Sequence, residues 1–391
     1  AVSAANPVMT IVILGVSGVS IGASVLMSRF YGAGDEDALR REVATTIVFG
    51  AIASLVVFAV GWPLSGPVLR LMNVPDEILE MAARYLQVIF VGFLFTFQYN
   101  ILAAALRSVG DSRTPVVYLA LASVMNAGLD VLLVAGLRWG VVGAGVATVA
   151  AEGISALLCA RHIYRKIPLL HLGLRELKID RRLLGETVSS GAITALQQAC
   201  QPIGKALIQS VMNAQGVSVI AAFNAVSRVD DFACIPEQSI SSSMMTCIAQ
   251  NSGAGEHARV GETLRRGMMI EAAYGVLICA AVLLVKEPVM RLFAAQDSMQ
   301  MVSMGVDYLT LMAFFYILPG ITNGIQGYFR GMGEMKTTLV ATFIQISIRA
   351  LVVAVLVPRV GLNGAAWACA IGWSAMLCYT FARYRKVRTN E

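Results

Sequence analysis

The sequence predicts an all-α integral membrane protein: two pseudo-symmetric six-helix bundles, with the first helix of the N-lobe absent from this chain. Three observations lead there. Of the 391 residues, 57% are hydrophobic and 14% charged, and mean hydropathy is +0.71. That is far more apolar than a soluble globular domain. The apolar stretches run about 20 residues, the length that crosses roughly 30 Å of hydrocarbon. The tail of the chain also repeats its head, 221 residues on. Leu64-Ser-Gly-Pro67-Val-Leu-Arg70-Leu71 returns as Val285-Lys-Glu-Pro288-Val-Met-Arg291-Leu292, and Gly140-Val-Val-Gly143-Ala144 as Gly361-Leu-Asn-Gly364-Ala365. Parallel repeats of this kind leave a cleft at mid-depth, as in many secondary transporters.

Taken in order, the spans are 7–28, 43–63, 85–106, 115–137, 139–160, 187–213, 219–250, 267–285, 308–329, 338–357 and 362–382. The repeat maps 219–250 onto the opening segment, so 187–213 lacks an upstream partner and one further span is expected before Ala1. Span 219–250 is the weakest by hydropathy, because it carries Arg228, Asp230, Asp231 and Glu237. The expected domains are an N-lobe over 1–166, a cytoplasmic linker over 167–184 and a C-lobe over 185–391. Within the linker, Leu169, Leu170, Leu172, Leu174 and Leu177 alternate with Arg175, Lys178, Arg181 and Arg182, a pattern suited to an amphipathic helix on the lipid surface.

Charge sets the orientation. Twenty-one of the 30 Lys and Arg residues fall in alternate loops and the tail, six on the opposite side and three (Lys205, Arg228, Arg349) within spans. That bias places the C-terminus in the cytoplasm of a multi-pass inner (plasma) membrane protein. It also accounts for the net charge of +6 without any nucleic acid. The seven cysteines lie in apolar segments and form no CxxC pair, which reads as packing rather than metal binding or disulfides. The three histidines sit in loops or at span ends, with no HExxH or GxSxG motif. No enzyme and no cofactor are expected.

The turns between spans are themselves repeated. Arg107-Ser-Val-Gly110-Asp111-Ser-Arg-Thr114-Pro115 matches Arg330-Gly-Met-Gly333-Glu334-Met-Lys-Thr-Thr338. Arg107 would meet the negative end of a helix dipole, Gly110 would take a left-handed turn, and Thr114 would cap the next helix with Pro115 in its first turn. Gly32-Ala33-Gly34 and Gly253-Ala254-Gly255 read the same way.

These paired turns, with Gln250-Asn251 before the second Gly-Ala-Gly and the duplicated six-helix plan, resemble the multidrug and toxic compound extrusion (MATE) family over essentially the whole chain. The resemblance implies two six-helix bundles arranged as a V. It also implies export of organic cations and other amphipathic toxicants in exchange for inward H⁺ or Na⁺.

An Asp at a span's centre costs about 2.5–3.5 kcal/mol on insertion scales, so each needs a reason. Asp130 is the only charge in its span, with Asn126 one helical turn before it on the same face. The residues alone fit either a cation or proton site or a satisfied structural carboxylate. In the DinF-like branch of the resembled family, an Asn and an Asp four apart on this helix join a Thr on the next. Asn126, Asp130 and Thr148 match all three, giving a cation-binding set with H⁺ or Na⁺ as coupling ion. That branch also uses an Asp on its first helix, which this chain lacks. The other branch places acids where this chain has Gln197 and Pro319.

Further relay or substrate-contact candidates are Glu152, Gln98, Asn100, Gln197, Asp230 and Asp231. Glu152 follows Thr148 by one turn. Arg228 and Asp231 sit three apart, as an intrahelical ion pair would. Lys205, Glu271 and Arg349 are lone intramembrane charges. Phe93, Phe95, Phe97, Gln98, Tyr99 and Asn100 could line a wall for flat cationic compounds, or simply fill a span. The expected function is a monomeric antiporter in the lipid bilayer exporting drugs or amphipathic compounds. A lipid-linked oligosaccharide flippase of the same superfamily is the alternative.

Overall fold

The computed structural model describes residues 2–173, 175–293 and 299–389, and among these it is helical throughout, with no strand. Twelve α-helices run α1 Val2–Ala33, α2 Glu36–Leu71, α3 Asp76–Ser108, α4 Arg113–Asp130, α5 Gly140–Lys166, α6 Arg181–Asn213, α7 Val217–Gly253, α8 His257–Phe293, α9 Met299–Phe315, α10 Ile317–Gly331, α11 Met335–Val360 and α12 Asn363–Thr389. A π-helical segment, Val131–Gly136, continues α4. Among the described residues eight helices are long and apolar enough to cross a membrane, and α9 with α10, bent by 43°, make a ninth. The other two long helices are α6 and α7, of 33 and 37 residues. Both carry the charges that depress hydropathy, as the sequence reading anticipated for 219–250.

The chain packs as two compact units, Ala1–Ala195 and Leu196–Glu391. In the first, Val16, Met27, Leu39, Phe97, Ile101 and Leu106 build the core where α1, α2 and α3 meet. In the second, Met212, Val226, Tyr308, Met312, Tyr316 and Val357 lie at the centre. Close helix approach comes from small residues, as in other membrane bundles. A Cβ on Gly191 would stand 2.7 Å from Val19 Cα, so α1 and the first half of α6 touch backbone to backbone.

The turns follow one recipe. Gly110 and Gly333 adopt φ of +94° and +80°, the left-handed conformation that terminates a helix. The next amide then reaches back five residues: Asp111 N–H to Leu106 O at 2.9 Å, and Glu334 N–H to Phe329 O at 2.8 Å. The turns at Gly34 and Gly255 close identically, through Asp35 to Phe30 and Glu256 to Asn251. Arg107 and Arg330 occupy the last turns of α3 and α10 as expected.

The capping residue differs from the expectation. Asp111, not Thr114, supplies the side chain, its Oδ1 accepting the Thr114 N–H at 3.0 Å. The other oxygen meets His162 Nε2 at 3.2 Å. Partial burial pushes the Asp111 carboxyl up, but the Thr114 bonds and His162 outweigh it and hold the group below its ordinary value.

The linker is also different. Among the described residues of 167–180 no amphipathic helix forms; only a 3₁₀ turn, Pro168–Leu170, and irregular chain precede α6. Pro168 and Gly173 interrupt a helix. Leu170 turns inward to 2% exposure, with Leu169 and Leu172 packed beside it; Leu174 lies outside the described residues. Arg40 Nη2 holds the His171 carbonyl at 2.9 Å, and Thr45 Oγ1 accepts the Asp180 N–H at 3.0 Å. Leu169, Leu170 and Leu172 thus pack against the protein core.

Two outcomes test this packing. Gly191→Val should lower the Tm of the detergent-solubilised protein, by an overpacking cost of about 1–3 kcal/mol. Gly185→Ala, where a Cβ meets nothing within 4 Å, should leave Tm equal or higher. Asp111→Asn keeps the cap oxygen but removes the charge at the α4 N-terminus and facing His162, and should cost about 0.3–1 kcal/mol at neutral pH. Because the folded carboxyl is depressed, that difference should be complete above the unfolded Asp value of about 3.9 and vanish as pH falls through the lower folded value. A Tm gap independent of pH would refute the cap's ionised role.

Candidate functional site

In the first unit α3, α4 and α5 bring the polar residues of the apolar spans together. Asn126 and Asp130 project from the last turn and a half of α4, and Thr148 and Glu152 from successive turns of α5. Asn126 Nδ2 lies 3.5 Å from Thr148 Oγ1, whose hydroxyl donates to Ala144 O at 3.0 Å. One turn along, Asp130 Oδ1 is buried with no hydrogen-bond partner. The helix widens immediately after it. Leu137 N–H bonds Leu132 O at 2.8 Å, and Trp139 N–H bonds Leu133 O at 2.9 Å. Such π segments recur at functional sites because they re-aim side chains without breaking the helix.

Glu152 is not orphaned. Thr96 on α3 donates its hydroxyl to Glu152 Oε2, a partner the sequence reading missed. Its only signal was a hydroxyl in a span opposite an acid. Tyr85, also on α3, lies within electrostatic reach of both Asp130 and Glu152. The site is therefore a carboxyl with a free oxygen, an amide–hydroxyl pair beside it, and a second carboxyl held by a threonine.

Gln98 and Asn100 do not join it. Gln98 Nε2 donates to Ile47 O on α2 at 3.0 Å, and Asn100 Nδ2 to Thr96 O on its own helix at 2.8 Å. Both amides tie backbone carbonyls. The aromatic wall divides likewise. Phe93 and Phe97 are 6% and 3% exposed and belong to the core, with Phe97 edge-on to Phe49 and Phe93. Tyr99 donates to Pro115 O at 3.0 Å. Only Phe95 stays exposed, at 38%.

The remaining candidates lie in the second unit. Gln197 is the hub of a buried network. Its Nε2 donates to Gln326 Oε1 at 2.5 Å and Thr342 Oγ1 at 2.9 Å, while Thr338 Oγ1 donates to its Oε1 at 3.2 Å. Arg330 Nη2 reaches Gln326 Oε1 at 3.1 Å. An amide with all its bonds made in this way fixes α6, α10 and α11 together. Asp230 accepts from the Tyr316 hydroxyl at the α9–α10 bend and lies near Arg349. The expected Arg228–Asp231 pair does not form; Asp231 instead meets Lys205 Nζ of α6 at 2.6 Å. Arg228 is exposed. A cross-helix pair removes two charges from hydrocarbon together and ties α6 to α7, which an intrahelical pair would not. Pro319 is buried in α10 and supplies no ligand.

The comparisons with known proteins agree with this architecture. The MatE family pattern matches residues 1–132 and 194–356, and the chain belongs to that family. It is a multi-pass membrane transporter and not an enzyme. Among its relatives, the probable multidrug resistance protein YpnP of Bacillus subtilis is 26% identical over 88% of this chain and 76% of its own length. The probable multidrug resistance protein NorM of Thermotoga maritima is 27% identical over 88% and 75%. A multidrug resistance MATE family transporter solved in an outward-facing conformation superposes with a TM-score of 0.89 at 22% identity. That match covers 98% of this chain and 87% of the other.

Gln197→Leu should destabilise the second unit by about 1–3 kcal/mol, because its partners lose their bonds while still buried. An unchanged Tm would show the network to be dispensable.

Proposed function

We propose that the chain exports drugs or amphipathic organic compounds, often cationic, across the cytoplasmic membrane in exchange for inward H⁺ or Na⁺. The MatE membership and the relatives named as multidrug resistance proteins support the export half of this reading. The observation that carries the exchange half is Asp130: a carboxyl in an apolar span, with a buried oxygen that no protein group satisfies, one turn from the Asn126–Thr148 pair.

A carboxylate in hydrocarbon is retained against its cost only where something neutralises it. Here no Lys or Arg lies within ion-pair distance of Asp130 among the described residues. An entering H⁺ or Na⁺ fills that role. Asn126 and Thr148 add an amide and a hydroxyl oxygen, and both ions accept such ligands. Glu152, held by Thr96 and one turn beyond Thr148 on α5, stands ready as the next proton carrier. The loaded and unloaded forms differ by one unit charge, so they favour different conformations of α4 and α5. A ligand shifts an equilibrium only through such differential binding. Cation entry then drives the change that releases substrate. The excess of Lys and Arg on one side places the C-terminus in the cytoplasm.

Proteoliposomes holding a fluorescent cation such as ethidium, under an imposed pH or Na⁺ gradient, provide the assay. Asp130→Asn should fold, bind dye and lose gradient-driven efflux. An Asp130→Asn protein extruding at the full rate under the same gradient would sink the assignment.

A further inference from the structure

A further pair of acids lies in the Leu196–Glu391 unit, one of them about two turns along α7 from Asp230 and Asp231. Glu237 on α7 and Glu271 on α8 are both fully buried, at 0% exposure. Asn323 on α10 donates its Nδ2 to Glu237 Oε2 at 3.4 Å. That is the one hydrogen bond the pair receives. Glu237 Oε1 and both Glu271 oxygens are buried without a partner.

The surrounding helices are shaped to hold these groups. α10 turns glycines toward Glu271: a Cβ on Gly320 would stand 3.4 Å from Glu271 Oε2, and one on Gly324 3.5 Å from Glu271 Cγ. The acid side chain thus runs along the glycine face of α10, within van der Waals reach of a methyl at either position. Gly275 brings α8 onto α10, its would-be Cβ 2.7 Å from Ile317 Cα. Ser241 Oγ of α7 donates to the Asn323 carbonyl at 2.6 Å, and Tyr274 of α8 donates to Ala233 O of α7 at 2.9 Å. Three helices are pinned around the two carboxyls.

The charges nearby offer no neutralisation. Glu271 feels Glu237, and the other titratable groups around the pair are Cys234 on α7 and Tyr274 on α8. From α10 the facing polar group is Asn323, and no Lys, Arg or His among the described residues acts on either acid. Two neighbouring carboxylates in an apolar setting do not both stay ionised. A bare buried carboxylate with unfilled lone pairs is costlier than any single packing gain could offset. A bound monovalent cation removes the repulsion between two ionised acids and supplies a partner for oxygens that no protein group meets. A divalent metal does not fit: Ca²⁺ takes about six to eight oxygens, and no group of three or more His, Cys, Asp or Glu is assembled for a metal among the described residues.

We propose that Glu237, Glu271 and Asn323 form a second monovalent-cation site of the transport cycle, occupied by H⁺ or by Na⁺. This rests on the antiporter reading above. It adds a carrier in the second unit that works beside Asp130. Occupation ties α7, α8 and α10 just beyond the bend at Tyr316. Release leaves two repelling charges between those helices and favours their separation.

The test uses the full chain in lipid nanodiscs, without substrate. Dicyclohexylcarbodiimide adds to protonated carboxyls in apolar surroundings, and peptide mass spectrometry locates the adduct. Labelling of Glu237 or Glu271 that fades as pH rises supports a proton. Protection by Na⁺ at constant pH supports Na⁺ at the same oxygens. In infrared difference spectra taken across pH, Glu271→Gln and Glu237→Gln should each lose a carboxylic-acid carbonyl band that Asp130→Asn retains. Neither acid labelled under any condition, with the infrared spectra of both Gln variants unchanged, overturns the site. Because these readouts need no efflux, they stand apart from the dye assay. A dead wild-type transporter sinks the antiporter reading, whereas absent cation signals at the Glu pair sink only this one.

Discussion

A carboxyl group buried in an apolar bundle must be given something positive or something that donates a hydrogen bond. That demand sorts the polar side chains of this protein. Glu152 is answered by a neutral donor, Thr96. Asp231, which is exposed, pairs with Lys205. Asp130, Glu237 and Glu271 keep buried oxygens that no protein group meets, as does Glu42, whose other oxygen takes the Thr187 hydroxyl at 2.6 Å. The satisfied groups hold helices in place, and the unfilled oxygens mark where the polar demand of the bundle is unmet.

The internal repeat shows how the two units parted. Carried across by the matched turns at Gly110 and Gly333, Asn126 corresponds to Arg349 and Asp130 to Val353; Thr148 corresponds to Cys369 through the Gly143 and Gly364 match. In the second unit Arg349 acts on Cys369 and Asp230, much as Asn126 meets Thr148 in the first. At these matched positions the first unit thus carries a carboxyl and the second a guanidinium that is permanently charged. The duplicated scaffold is electrically unequal there, with Arg349 and Val353 standing where the first copy has Asn126 and Asp130.

Helical content, the order of the spans and the recipe of the turns were legible because they rest on local rules: span length, glycine in a left-handed turn, arginine at a helix end. One charged span, α7, was recovered through the repeat where hydropathy alone fails. What was not legible required partners distant in sequence. Thr96 sits 56 residues from Glu152, and no periodicity links them. Lys205 looked like a lone charge and Asp231 like the partner of Arg228 until α6 and α7 were side by side. Phe93 and Phe97 could have been wall or core, and burial alone separates the two. The linker misled for a different reason: its leucine spacing suits a helix, but Pro168 and a ready hydrophobic recess beside α2 and α5 leave it irregular.

The π segment after Asp130 carries an evolutionary reading. From Gly110 to Gly140 the first copy is two residues longer than the second from Gly333 to Gly361. The second copy crosses that interval as regular α11, closing with Gly361 N–H on Val357 O. The first absorbs its surplus in wide turns between Val131 and Trp139. The two copies thus differ by two residues that the first houses in a local swelling of an otherwise continuous helix. Removing two residues there would bring the first copy to the length that its sister spans as a uniform rod.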